Sequence, residues 1–361
     1  MSHPDATVHR TSIGHVLGIS LALAAVVAVI VLAFSWPAVT AEPKDLPIAI
    51  TGPAEAVSAA EGAVDQQSPG AIAFREVDDR DAAVEAIETR EVYGAIVLGQ
   101  EPEVLTSTAS SLAVAQLLGG VSAQLEEGVN AQAAAAAEAA GAPTAPPHID
   151  VPVTDVVPLA DSDPRGTGLT AALFPLVLGG MLGGIAISLA VIGAMRRVTA
   201  VLLYSVLGGL ALTGILQGWF GSLQGDYWLN TAGIALALAA IAAPITGFVA
   251  LIGRAGIAVG PIVMLLFANP ISAAAIPKEF LPVPWGEIGQ WFPPGAAATL
   301  MRELSYFPAA DTAFPWLVLA AWAVGGILLS IFGHFRTAGG AESDAEASVA
   351  TEREAAVSPA A

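Results

Sequence analysis

The sequence contains no cysteine, and only 12% of its 361 residues are charged. The absence of cysteine excludes disulfide bonds, thiolate metal sites and cysteine nucleophiles. Soluble domains carry about 25% charged residues, so a chain with half that share is not an ordinary soluble protein. The charges are also unevenly distributed, because several long blocks have almost none. This pattern predicts a membrane protein that carries a soluble insert.

Basic residues are especially few, with 13 Lys and Arg against 32 Asp and Glu. Most of the imbalance lies in residues 37–165, which hold 21 acidic and five basic side chains. Nucleic acid is therefore excluded as a partner, because binding to phosphates needs a basic surface. Membrane lipid is the partner that the apolar blocks predict.

Six apolar blocks have the roughly 20 residues needed to cross a bilayer. They are residues 13–36, 168–195, 198–221, 229–252, 256–276 and 314–335. The first is longer than the apolar core of a signal peptide, so we interpret it as an uncleaved anchor in preference to a cleaved leader. The predicted fold is a membrane all-α bundle of six transmembrane helices, with an inserted extracytoplasmic α/β domain between the first and second spans.

The basic residues that flank the apolar blocks predict the orientation of the chain. They are Arg10, Arg196 with Arg197, Arg254 and Arg336. If every block spans, all of them fall on the same side of the membrane, and loops rich in Lys and Arg face the cytoplasm. We therefore expect a multi-pass protein of the bacterial plasma membrane with both termini in the cytoplasm.

The domain boundaries follow from these spans. Residues 46–108 alternate short, β-prone apolar runs with helical patterns, which is typical of a small α/β domain. A long helix is expected over residues 110–140, and six prolines after it predict an extended connector to the membrane. The predicted parts are a cytoplasmic N-terminus and first helix (1–36), the extracytoplasmic domain (37–167), five membrane helices (168–335) with an outer segment (277–313), and a disordered acidic cytoplasmic tail (336–361).

Glycine pairs four residues apart occur in the second apolar block, and such pairs let two helices approach closely. The glycines are Gly179, Gly180, Gly183 and Gly184. They predict either packing inside the bundle or the face of a dimer. Ionisable Asp, Glu, Lys and Arg are absent within the six predicted spans, which argues against a proton-driven transporter.

The outer segment over residues 277–313 is rich in proline and in aromatic residues, which favour the membrane surface. Its Pro293–Pro294 pair predicts the start of a short helix that enters the membrane from outside, although an ordinary interfacial loop is an equal alternative. The Asn269–Pro270 pair marks either a helix break that lines a cavity or a capped helix end. The candidate residues of a translocation or re-entrant region are Asn269, Pro270, Trp291, Pro293, Pro294 and Arg302.

Three stretches resemble the permease subunits of type 2 ABC exporters, and more narrowly the YhgE/Pip group and its short actinobacterial relatives. They are Glu85–Leu98, Asp155–Gly184 and Phe267–Phe307, of which the last is the most specific. The resemblance in architecture covers nearly the whole chain except the tail. It implies export of an unknown, hydrophobic or envelope-related substrate, a separate ATP-binding subunit, and assembly as a homodimer or heterodimer.

The sequence departs from this family at one point. Type 2 ABC permeases usually dock on their ATPase through the cytoplasmic loop between spans two and three, and here that loop is reduced to Met195–Val198. The alternative function is therefore a non-transporting envelope receptor or secretion accessory protein that displays its extracytoplasmic domain. The sequence contains no recognisable catalytic constellation, phosphate-binding glycine loop, cofactor motif or metal-ligand set, so we do not expect an enzyme.

Overall fold

The computed structural model describes residues 11–357 except 142, 143 and 145, with the backbone alone described at residue 67 and beyond residue 336. Its α-helices are α1 (Ile13–Val39), α2 (Ala54–Gln67), α3 (Arg80–Glu88), α4 (Leu112–Ala139), α5 (Thr167–Ala190), α6 (Ala194–Thr213), α7 (Tyr227–Ile252), α8 (Trp285–Gln290), α9 (Pro293–Tyr306) and α10 (Ala313–Val357). Its strands are β1 (Leu46–Thr51), β2 (Ile72–Glu76), β3 (Gly94–Val97), β4 (Glu103–Thr106) and β5 (Val153–Asp155). A π-helical segment extends α6 over Gly214–Trp219.

Five helices in the described part of the chain are long and apolar enough to cross a membrane. They cover Ile13–Val39, Thr167–Ala190, Ala194–Trp219, Tyr227–Ala258 and Ala313–Arg336. The prediction of a mostly helical protein with several membrane-spanning helices is therefore confirmed, and five of the six predicted spans coincide with these helices.

The residues between α1 and α5 form what we call the α/β unit, built on a mixed sheet of strand order β2-β1-β3-β4-β5. β1 is parallel to β2 and β3, β3 is antiparallel to β4, and β4 is parallel to β5. Leu46, Ile48 and Ile50 of β1 are fully buried. β5 lies in the stretch predicted as an extended connector, where Pro152 and Pro158 leave too few residues for a recognisable strand pattern.

Helix α7 is the centre of the bundle. Gly326 and Gly333 of α10 lie against Ala243 and Ala250 of α7, so these two helices run in the same direction. α5 is also parallel to α7, while α6 runs in the opposite direction. Small residues at these crossings let the backbones approach closely, which is how helices associate in a membrane.

The predicted span over residues 256–276 is not a single long helix in the structure. The chain turns at Gly253, whose φ of 73° favours glycine, and forms a 3₁₀ segment (Gly253–Ala258) and a π-helical segment (Pro261–Ala268). These segments return along α7. Pro261 and Pro270 bound the second of them, because proline lacks the N–H group that a regular helix would use. The return explains how α7 and α10 run parallel.

Helices α8 and α9 form a short hairpin against the bundle. Pro293 and Pro294 begin α9, where proline suits the first helical positions because no N–H donor is needed there. The apolar face of α9 packs on α7, with Met301 against Gly233. A short helix is thus present in the outer segment, and most of its residues are buried. Its entry into the membrane stays a prediction.

The two ends of the bundle differ. We call the end that contacts the α/β unit the domain end; backbone hydrogen bonds there join residues 42–44 to residues 279–280. The opposite end, which we call the arginine end, holds Arg196, Arg197, Arg254 and Arg336. Arg197 donates hydrogen bonds to the carbonyl oxygens of Ser188 and Val191, where a cation complements the C-terminal end of a helix dipole.

Helix α10 continues beyond its membrane-spanning part to Val357. The sequence predicts a disordered tail over residues 336–361, whereas the backbone is helical as far as it is described. Alanine and glutamate dominate this segment and favour helix, and no proline interrupts the helix that enters it. Residues 358–361 lie outside the described part of the chain.

Candidate functional site

A cavity of about 660 Å³ lies at the junction of the α/β unit and the domain end of the bundle. Its wall includes the turn after α3, the loop between β4 and α4, the residues that lead into α5, and α9 with the segment before it. Clefts between two structural units are preferred sites for ligands. The polar side chains of the wall include Arg90, Tyr93, Glu279, Arg302 and Glu303.

Arg302, on α9, bridges the two parts of the molecule. Its Nη1 donates to the carbonyl oxygens of Ala109 at 3.0 Å and Ser110 at 3.4 Å, and its Nη2 donates to that of Ala274 at 3.3 Å. Burial, together with the neighbouring Arg90 cation, lowers the pKa of Arg302 to about 10, so it stays charged at neutral pH. Among the described residues no carboxylate lies within ion-pair distance of this guanidinium.

Arg90 and Glu303 form an ion pair of 3.0 Å across the same junction, with only 17% and 10% of their side chains exposed. Arg90 follows the end of α3 with a φ of 61°, where glycine is usual, so backbone strain accompanies the placement of this side chain. Burial raises the pKa of Glu303, and the Arg90 charge opposes that rise. The second carboxylate oxygen, Oε2, is buried without a hydrogen-bond partner among the described residues.

Tyr93 makes a third link between the α/β unit and the bundle. Its hydroxyl donates to Oε2 of Glu279 at 2.8 Å. Burial, and then the charge of Glu279, raises the pKa of Tyr93, so the phenol remains a neutral donor. Nearby, Lys278 pairs with Glu287 at 2.8 Å on a more exposed part of the wall. The junction is therefore held by specific polar contacts rather than by an apolar interface.

Aromatic side chains border the cavity on the side of the membrane helices. Trp291 and Phe314 belong to its wall, contact each other edge to face at 5.1 Å, and are 63% and 41% exposed. The Trp322 indole donates to the carbonyl oxygen of Trp291 at 2.8 Å. Amphipathic rings of this kind are typical of the membrane surface. The cavity thus has a polar wall and an exposed aromatic border.

The six candidate residues of the translocation or re-entrant region have different places in the structure. Trp291 and Arg302 meet at the cavity. The Pro293–Pro294 pair begins α9 and is buried behind the wall. The Asn269–Pro270 pair ends the π-helical segment, with Asn269 at its cap, so of the two alternatives it takes the helix end. Neither of these pairs is part of the cavity wall.

The four predicted glycines of α5 pack inside the chain. Gly179 and Gly183 lie against Tyr204 of α6, and the other two lie against α7. A Cβ at Gly183 would come within 2.3 Å of the Tyr204 ring. These positions therefore serve close packing of helices within the chain, and their role as a dimer face stays a prediction.

One group of possible metal ligands lies on the α/β unit, away from the cavity. Side-chain atoms of Glu126, His148 and Asp150 come within 4.8 Å of one another. His148 Nε2 is 3.1 Å from Glu126 Oε1, and the backbone N–H of Val151 donates to Oε2 of the same carboxylate. These contacts lower the pKa of Glu126 and join α4 to the connector, so the geometry is explained without a metal.

Several residues of the cavity were not singled out from the sequence. Arg90 and Tyr93 lie in the acidic α/β unit, and Glu303 directly follows Arg302. The sequence did offer one sign for Arg90, because it is one of only five basic residues between positions 37 and 165. Their meeting depends on how the α/β unit sits on α9, which no local pattern encodes.

Comparison with protein-family models, with curated proteins and with solved structures finds no match to this chain.

Proposed function

We propose that the chain is the membrane subunit of an exporter of the permease type, which takes an amphiphilic substrate into the cavity between the α/β unit and the bundle. The single observation that carries the proposal is this cavity, with charged groups of both signs and hydroxyl groups on one wall and exposed aromatic rings on another. An amphiphile needs both surfaces, because its polar and apolar parts require different environments. The resemblance to type 2 ABC exporter permeases agrees with the proposal.

The proposed orientation places the α/β unit outside the cell and both chain termini in the cytoplasm. It is supported by the arginines, which gather at one end of the bundle, since loops rich in Lys and Arg face the cytoplasm. Because the sequence has no cysteine, single-cysteine variants carry no background. In intact cells a membrane-impermeant maleimide should label Gln66→Cys on the α/β unit and should not label Ala255→Cys at the arginine end. Labelling of Ala255→Cys alone would show that the chain has the opposite orientation.

The experiment that tests the exporter is purification of the tagged chain from its native host in a mild detergent, followed by mass spectrometry. We expect a nucleotide-binding subunit at close to equal stoichiometry. The double variant Arg196→Gln/Arg254→Gln removes two exposed cations from the arginine end and should reduce recovery of that subunit. Arg75→Gln, on the surface of the α/β unit, is the matched control and should not. Consistent absence of any nucleotide-binding protein would contradict the proposal.

A second candidate is a non-transporting receptor or secretion accessory protein. The observation that favours it is the small surface at the arginine end, where only residues 191–193 join α5 to α6 and a 3₁₀ turn follows α7. Such short connections leave little area for an ATPase to dock. On this function the same purification recovers envelope or secretion components, and deletion of residues 40–160 abolishes their recovery.

A further inference from the structure

We propose that Arg302 binds the phosphate oxyanion of an amphiphilic ligand inside the cavity. This inference rests on the proposed function, because it assigns a chemical class to the substrate of the same site. The oxyanion could belong to a phospholipid-like molecule or to free phosphate, and the test below separates these two sources.

The guanidinium of Arg302 has hydrogen-bond donors to spare. A guanidinium has five N–H groups in one plane. Three hydrogen bonds go to backbone carbonyl oxygens, which leaves two N–H groups without an acceptor among the described residues. The existing bonds hold the guanidinium in place between the α/β unit and the bundle. A fixed guanidinium with free donors suits a phosphate, which accepts two parallel hydrogen bonds from this fork.

The charge of Arg302 is not neutralised by its hydrogen bonds. Carbonyl oxygens satisfy hydrogen bonds but do not neutralise a cation, and an uncompensated charge out of water is costly. The five carboxylates of the wall are engaged elsewhere: Glu303 by Arg90, Glu287 by Lys278, Glu91 by Arg75, Glu279 by the Tyr93 hydroxyl, and Asp311 by the backbone N–H of Ala313. In the described part of the chain Arg302 thus has no anion of its own. An anionic ligand would supply the missing charge.

The shape of the cavity favours a ligand with an apolar part. Trp291 and Phe314 border the cavity and are exposed, so an apolar chain can lie along these rings toward lipid while its headgroup stays at Arg302. The volume of about 660 Å³ is within the usual range of ligand pockets. A phosphate alone would leave most of this volume unused. The geometry therefore favours an amphiphile over a small free anion.

The test uses the full-length protein purified in a non-ionic detergent. Native mass spectrometry measures binding of phosphatidylglycerol and of diacylglycerol with the same acyl chains, with and without inorganic phosphate. We expect phosphatidylglycerol to bind at least about tenfold more tightly than diacylglycerol, and Arg302→Gln to remove most of that difference. Arg336→Gln, which removes a cation from the arginine end, should leave the difference intact.

Arg302→Lys keeps the charge but not the fork, so its affinity should lie between those of the wild type and Arg302→Gln. Competition by inorganic phosphate would identify the oxyanion as sufficient; absence of competition, with the preference retained, would make the lipid the source. Both results support the site. The proposal is overturned if the wild type binds both lipids equally, or if folded Arg302→Gln keeps the full preference.

Two further measurements keep the test decisive. Binding to the folded state raises the unfolding temperature, so phosphatidylglycerol should stabilise the wild type more than diacylglycerol does, even if Arg302→Gln fails to fold. Recovery of a nucleotide-binding subunit is measured on the same preparations. A partner recovered without any anion preference would count against this inference alone, whereas an anion preference without the partner would count against the exporter.

Discussion

Helices α1 and α7 are both apolar enough to cross a membrane, yet one lies at the edge of the molecule and the other at its centre. α1 has a mean hydropathy of 2.9 with none of its most apolar window buried, whereas α7 has 2.3 with 72% buried. α7 contains Asn230, Thr231, Gly233, Thr246 and Gly247, while α1 consists mainly of large aliphatic residues and alanine. Because lipid solvates aliphatic side chains as well as protein does, small and polar residues decide which helix is buried.

The contrast between helices with and without polar side chains also explains where the cavity lies. Polar groups bring elements together in this protein, as where Asn230 of α7 donates to Gln217 at 3.0 Å and to the carbonyl of Gln224 at 2.7 Å. At the domain end, Arg302 and Glu303 do so between α9 and the α/β unit. Helix α1 contacts the rest of the molecule near its end at the α/β unit, where Phe34 lies against Phe174 and Trp36 against Trp285. The packed centre should therefore respond more strongly to substitution than less packed positions.

The largest effect is expected at the crossing of α7 and α10. A Cβ at Gly326 would lie 2.3 Å from the backbone of Ala243, so Gly326→Leu should lower the free energy of unfolding by about 3 kcal/mol or prevent folding. Gly18→Leu on α1 is the matched control, since nothing lies within 4 Å of its Cβ, and should change stability by less than about 0.5 kcal/mol. Thermal unfolding in one detergent compares them. Equal losses would show that α1 is packed against a partner.

The next largest loss of stability is expected on breaking the ion pair that joins the α/β unit to α9. Arg90→Met leaves Glu303 buried without its cation and should cost about 2 kcal/mol, less than for a fully buried pair because some exposure remains. Arg75 forms the same type of pair with Glu91, but there both side chains are about half exposed. Arg75→Met should therefore cost less than about 1 kcal/mol. If chemical denaturation gave the two variants equal losses, the junction would not depend on this pair.

The titration of Glu303 gives a third prediction, on pH. Burial raises its pKa in the folded state above the unfolded value of 4.5, so the folded state holds the proton to higher pH. The stability contributed by this group is present below pH 4.5 and is lost as the pH rises through the folded pKa. Arg90→Met removes the opposing cation, raises the pKa further and should extend that loss to higher pH.

Glu303→Gln cannot titrate at this position, so its stability should vary less than that of the wild type over the same interval. Unfolding temperatures measured from about pH 4 to pH 8 for the three proteins test this. If the loss of stability with rising pH ended at a lower pH in Arg90→Met than in the wild type, the role assigned to the Arg90 charge would be contradicted.

The smallest change in stability is expected from removing the side chains that cap the first turns of α7 and α1. Asp226 caps α7 by accepting the Leu229 N–H at 2.8 Å, and Ser12 caps α1 by accepting the His15 N–H at 3.3 Å. Asp226→Ala should cost about 1 kcal/mol, because the first turn of the central helix loses its acceptor. Ser12→Ala should have no measurable effect on global unfolding, since α1 can fray without disturbing the bundle. A larger effect of Ser12→Ala in thermal unfolding would contradict this ranking.

Part of the site was accessible from the sequence. Aromatic and proline content drew attention to residues 277–313, and Trp291 and Arg302 do meet at the cavity. The other half of the wall, with Arg90 and Tyr93, comes from about 200 positions earlier in the chain. Its residues form local patterns of a helix end and a strand start, and these patterns carry no information about the partner across the junction.

The sequence by itself determined which segments are apolar, where most helices and strands run, and on which helix ends the arginines gather. These features follow from local composition and periodicity, which act within one segment at a time. Only the tertiary structure decided that α7 is central, that residues 253–268 return along it as irregular helix, and that the α/β unit closes a cavity over α9. Each of these outcomes depends on close approach between backbones or on pairing of charges distant in sequence, and those energies exist only once the segments have met.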